Sequence, residues 1–143
     1  MDPATEPLDR LLVRTGLAVQ RFTRRVAAAH GLSATALDVL GALVELDEVS
    51  HRDLAGALRL APATLTPVLD ALEGAGALTR VRDGSDRRVV RVSITERGRQ
   101  RYAEASAGVT DAVARLPTPS GEQVELIRAH LLDVLEAVDR AAP

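Results

Sequence analysis

The chain has 143 residues, with 18 basic side chains against 20 acidic ones and a formal net charge of −2. That length fits one domain, or one domain with a helical extension, and the balance excludes a polybasic, histone-like protein. Cys is absent, which excludes disulfides, thiolate metal sites and thiol nucleophiles, and Phe22 and Tyr102 are too few aromatics to stack single-stranded nucleic acid.

The opening MDPATEP is acidic, and no 18-residue apolar run follows it. Neither a signal peptide nor a membrane span is expected, and the default location is the cytoplasm. Ala and Leu together make up 45 residues, so helix is the leading expectation. From Leu8 to about Ala29, apolar side chains recur at Leu8, Leu11, Leu12, Val19, Phe22 and Val26, which is amphipathic helix spacing. Gly31 supplies a stop. Ser33 can cap a second helix, with Leu37, Leu40 and Val44 on its buried face, fading at Asp47-Glu48.

Ser50 with Asp53 resembles a capping box for a short third helix ending near Leu58. Ala61-Pro62 opens a fourth, because proline is tolerated at the first helical position. Leu65, Val68, Leu69 and Leu72 form its inner face, and Gly74 and Gly76 end it. Residues 50–76 therefore read as helix, tight turn, helix.

The period then changes. Leu78 to Arg82 and Val89 to Ile94 read as strands, and Asp83-Gly84-Ser85-Asp86 between them is turn chemistry. Thr95 can cap a fifth helix from Glu96 to about Leu116, broken by Pro117 and Pro119. Ser120 with Gln123 opens a last helix to about Ala141. There Val124, Ile127, Leu131, Val134 and Val138 recur with heptad spacing, and Leu132 and Leu135 add a second apolar flank. Two apolar flanks on one narrow helix point to a partner helix.

Charge is unevenly spread. Residues 80–101 hold eight Arg and three acids, a local +5, whereas the remainder holds ten Arg and 17 acids, −7. A helix–turn–helix followed by a basic hairpin suits duplex DNA. One helix fits the major groove, where all four base pairs are distinguishable, and an arginine on the hairpin can enter the narrow minor groove beside it. The plain alternative for each wing arginine is a charge facing water.

Residues 54–98, LAGALRLAPATLTPVLDALEGAGALTRVRDGSDRRVVRVSITERG, resemble the MarR (multiple antibiotic resistance regulator) family of transcription factors. An L-E-x-x-G-x-[LV]-x-R pattern is matched by Leu72, Glu73, Gly76, Leu78 and Arg80. A D-x-R wing is matched by Asp86 and Arg88, and a T-x-x-G element by Thr95 and Gly98. The resemblance implies a mainly α fold with a small β-hairpin wing, a winged helix-turn-helix flanked by terminal dimerisation helices. Residues 33–98 would bind DNA, and 1–32 with 99–143 would dimerise through Leu8, Leu12, Val124, Ile127, Leu131, Val134 and Val138.

By the same resemblance, Arg88 is the minor-groove arginine and Asp86 its orienting partner. Arg87 would reach phosphate, and Arg80, Arg82 and Arg91 complete the basic wing. His51 and Arg52, at the start of the third helix, are further DNA-binding candidates. The recognition helix itself has no basic residue, since none lies between Arg59 and Arg80. Base reading falls to Ala63, Thr64, Thr66 and Pro67 through hydroxyl and methyl contacts. The string TLTP is similar to the organic-hydroperoxide-sensing branch, whose cysteine chemistry this chain cannot carry.

The expected protein is a ligand-responsive homodimeric repressor on a pseudo-palindromic double-stranded operator. Small aromatic or anionic effectors are the family's usual ligands, with Arg14, Arg21 and Tyr102 as candidate contacts. A winged-helix module docking an acidic protein is the alternative. His30, His51 and His130 show no ligand spacing, so no metal and no cofactor are expected. Gly74-Ala75-Gly76 ends a helix instead of preceding one, and no catalytic constellation is present, so an enzyme is not expected.

Overall fold

The computed structural model describes residues 5–141; the expectation for MDPATEP falls largely outside them. The elements run α1 (Leu8–Ala29), α2 (Ala34–Leu46), β1 (Glu48–Ser50), α3 (His51–Ala57), α4 (Pro62–Gly74), β2 (Leu78–Arg82), β3 (Val90–Ile94), α5 (Glu96–Ala114) and α6 (Gln123–Ala141).

Local chemistry sets most of these boundaries. The Ser33 hydroxyl accepts from the Ala36 amide, Ser50 from Asp53 at 3.1 Å and Thr95 from Gly98 at 3.0 Å. Each satisfies an amide that the first helical turn leaves without a partner. Three helices close on the same left-handed turn. The Leu32 amide donates to Ala27, Leu60 to Ala55 and Ala77 to Leu72, and the residue before each amide has positive φ. Two of those residues are Gly31 and Gly76. The third is Arg59, at φ 53°, where a side chain makes the conformation costly.

Leu40, Leu43, Leu54, Leu65, Leu69, Leu78 and Val92 are fully enclosed, and Leu32, Val39, Val49 and Leu72 complete the core around them. On α4 the inner face is Leu65, Leu69 and Leu72, as its spacing predicts, whereas Val68 is only partly covered.

The β element has one strand more than the predicted hairpin. β1 pairs with β3, and β3 with β2, all antiparallel in the order β1-β3-β2. Val49 stands opposite Val92, Leu78 opposite Ile94 and Arg82 opposite Val90. β1 thereby ties the base of the wing to the start of α3.

α1 and α2 both pack on α5. α6 stands apart and contributes no buried residue. No single helix among the described residues is long and apolar enough to cross a membrane.

Candidate nucleic-acid interface

α4 presents Ala63, Thr64, Pro67 and Asp70 to solvent, while Leu65 and Leu69 anchor it from behind. Thr66 is half-buried, and its hydroxyl donates to the Pro62 carbonyl at 3.0 Å. That proton is committed within the helix, leaving Thr66 an acceptor toward any ligand. Pro67 has no amide, so the Ala63 carbonyl lacks its usual helical donor.

The wing tip is built by short-range hydrogen bonds. The Asp83 carboxylate accepts from both the amide and the hydroxyl of Ser85 at 3.1 Å, and those bonds, with Arg91 beside it, hold its pKa below the usual Asp value. The Asp86 carboxylate accepts from the Arg88 amide at 2.9 Å, and Val89 donates back to the Asp86 carbonyl at 3.0 Å. Asp86 thus orients Arg88 through the main chain and leaves the guanidinium itself free. Arg82 donates to the Arg87 carbonyl at 3.0 Å. Arg87 and Arg88 are exposed, and among the described residues no carboxylate pairs with either.

A groove of about 580 Å³ runs between the wing and the starts of α3 and α4, lined by His51, Arg52, Pro62, Asp86, Arg88 and Val90 among others. Four of the predicted DNA-binding residues, His51, Arg52, Asp86 and Arg88, are brought together here from segments over 30 positions apart. The His51 Nε2 is enclosed and has no hydrogen-bond partner among the described residues.

Other members of the basic island are matched inside the chain. Arg91 lies 3.7 Å from Glu48 and 3.5 Å from Asp83, and Arg99 pairs with Asp47. Arg101 donates to the Gly31 carbonyl. Arg80 is the most fully engaged. Its Nη2 donates to Asp70 at 2.6 Å and to Glu73 at 3.0 Å, and its own amide donates to Glu73 at 3.0 Å. The hydrogen bond from Arg80 holds the Glu73 pKa below the ordinary carboxylate range, and the two carboxylates raise that of Arg80. Arg80 therefore turns toward α4, away from the free face of the wing. A charge count along the sequence has no means of separating it from Arg87 or Arg88.

Arg14, Arg21 and Tyr102 do not share one cavity. Arg14 pairs with Glu6 at 2.8 Å on the outer side of α1, and Arg21 is exposed on the same helix. Tyr102 lies between α2 and α5, so close to Gly41 that a Cβ there would stand 3.1 Å from its ring. Tyr102 lines two clefts, of about 540 and 440 Å³. The second carries Asp38 and Glu45, and burial raises the Asp38 pKa.

The terminal helices carry an uncovered apolar surface. Leu8 is 65% exposed, Ile127 43%, Leu131 44% and Val138 61%; Leu12, Val124 and Val134 are half-covered. Leu126, Leu132 and Leu135, outside the heptad stripe, are exposed as well. Among the described residues no cluster of three or more His, Asp or Glu could hold a metal ion.

Residues 32–90 match the model of the MarR family. The regulator TtmR of Methylorubrum extorquens is 37% identical over 82 residues, 57% of this chain and 42% of the relative. The organic hydroperoxide resistance transcriptional regulator of Bacillus subtilis is 30% identical over 96 residues, 67% of this chain and 65% of the relative. The chain spans about half the length of the curated relatives it matches. The transcriptional repressor CouR bound to a 23-mer DNA duplex superposes with a TM-score of 0.77 at 27% identity, covering 97% of this chain and 96% of CouR. CouR from Rhodococcus jostii bound to p-coumaroyl-CoA gives 0.73 at the same identity, covering 96% and 95%.

Proposed function

We propose that this chain, a winged helix-turn-helix whose residues 32–90 match the MarR family, is a homodimeric repressor of transcription, bound to duplex DNA through α4 and the wing. The observation that carries this reading is the groove in which Arg88, unpaired and fixed by Asp86, faces the first turns of α3 and α4. A duplex backbone laid along it meets His51 and Arg52 on one side and the wing arginines on the other. α4 then enters the major groove, and Arg88 the minor groove beside it.

In this reading residues 33–98 form the DNA-binding unit, and 1–32 with 99–143 the dimerising one. A second copy covers the α6 stripe, and the two recognition helices address half-sites about one helical turn, ~10–11 bp, apart on a pseudo-palindrome. The protein acts where operators are, in the cytoplasm, and as a regulator instead of a catalyst. CouR, which binds both DNA and p-coumaroyl-CoA, supports a ligand-responsive version. The effector would lie in the clefts beside Tyr102 and bias the spacing of the DNA-binding lobes.

An electrophoretic shift with the duplex upstream of the protein's own gene tests this. If the dimer neutralises about eight phosphates, log K against log salt should slope near −7. A slope near zero would remove DNA as the partner.

A further inference from the structure

We propose that Arg80 is a masking residue that pairs with two carboxylates on the recognition helix and halves their net charge, from −2 to −1, so that α4 can approach DNA. This rests on the reading of α4 and the wing as the DNA-binding surface. Asp70 shares the outward face of α4 with Ala63 and Pro67, at helical spacing from both. Its side chain is 59% exposed, and that of Glu73 is 40% exposed. α4 carries no cation of its own. Left alone, two negative charges on the helix that enters the groove would oppose the phosphates on either side of it.

Arg80 comes from β2, across the Gly76 turn, and reaches both acids at once. Its fork holds Asp70 at 2.6 Å and Glu73 at 3.0 Å, and its backbone amide takes a further Glu73 contact. Only 22% of its side chain is exposed, which leaves it little surface for a phosphate. The charge of Arg80 thus acts on DNA through the acids it offsets. The same bonds also join α4 to the wing, so Arg80 is a positioning residue too.

The test compares the full-length wild type with Arg80→Met, with Asp70→Asn/Glu73→Gln, and with the triple variant carrying all three changes. Affinity for the upstream duplex is measured across a salt series, and the thermal midpoint of each protein is recorded. Arg80→Met and the triple variant both lack the clamp, so their difference isolates the unmasked charge. Arg80→Met should bind about tenfold or more weakly. The triple variant should recover most of that loss while keeping the wild-type salt slope. Asp70→Asn/Glu73→Gln, which frees the guanidinium, should bind more tightly than the wild type. If Arg80→Met proves too unstable to assay, Arg80→Lys replaces it. That variant keeps the charge without the fork and should retain most of the affinity if masking is electrostatic.

A triple variant as weak as Arg80→Met would overturn masking, and a salt slope that falls by about one would also overturn it and assign Arg80 to direct phosphate contact. Failure of the wild type to bind any duplex would overturn the regulator reading itself, a different result from wild-type binding without rescue.

Discussion

The carbonyl of Ala77 occupies the space that a side chain on Gly98 would need. A Cβ at Gly98 would stand 2.9 Å from the Ala77 carbonyl carbon and 2.9 Å from Ile94 Cγ1, closer than real Cβ atoms come. The neighbouring Thr95 amide donates to the same Ala77 carbonyl at 3.0 Å, and the Thr95 hydroxyl donates to Gly76 at 2.6 Å. The T-x-x-G element is therefore a joint that seats α5 on the turn between α4 and β2. Gly98→Ala should cost about 3 kcal/mol, the upper end for overpacking, because backbone yields less than a side chain. Chemical denaturation measures it, and a variant as stable as the wild type would mean that the joint is not seated this way.

Arg88 and Arg87 are neighbours with different expected effects. Arg88→Ala should weaken operator binding by about 1–3 kcal/mol and relax sequence preference beside the wing. Arg87→Ala should weaken all duplexes alike and reduce the salt slope by about one. Titrating both variants on operator and scrambled duplexes separates the two. Equal behaviour on both DNAs for Arg88→Ala would deny it a reading role.

Leu131, 44% exposed on a helix with no fully buried residue, tests the proposed dimer. Leu131→Arg places a charge in the middle of the apolar stripe and should halve the mass seen by sedimentation at micromolar protein. Operator affinity should fall with it, while the core of α2, α4 and β3 stays folded. An unchanged mass would locate the interface elsewhere.

Acid should loosen the clamp between α4 and β2. The Glu73 pKa is lowered from its ordinary 4.5 by the bond from Arg80, so its contribution is complete above that value and is lost as pH falls below it. Asp83, lowered from 3.8 by Ser85, follows in the same direction. Asp38 is raised by burial and acts in the opposite sense. Thermal midpoints from pH 7 down to pH 3 should therefore fall less steeply in Glu73→Gln than in the wild type. Parallel curves would mean that the carboxylate is not bonded in solution.

Helices and their ends are legible in this sequence because the signals are local. Ser33, Ser50 and Thr95 each lie three residues from the amide they cap, and Gly31 and Gly76 mark stops in the residues themselves. β1 is not legible. Three residues carry no period, and Val49 gains its strand character only from Val92, far along the chain. The wing tip could be placed by turn chemistry, but the state of its arginines could not. Arg80, Arg91 and Arg99 find their acids across turns and between elements, whereas Arg87 and Arg88 find none among the described residues. A net local charge of +5 thus overstates the charge that faces outward. Tyr102 shows the same limit: its place against Gly41 depends on how α2 crosses α5.

The isolation of α6 has a consequence for regulation. If a second copy covers α6 as proposed, this helix, which has no fully buried residue in its own chain, melts in a bimolecular event and its midpoint climbs with protein concentration. Dilution alone would then dissociate the protein and separate its two reading heads. Operator occupancy would grow more steeply than in proportion to copy number. A cell could reset such a switch by growing without new synthesis of the protein, with no small molecule required.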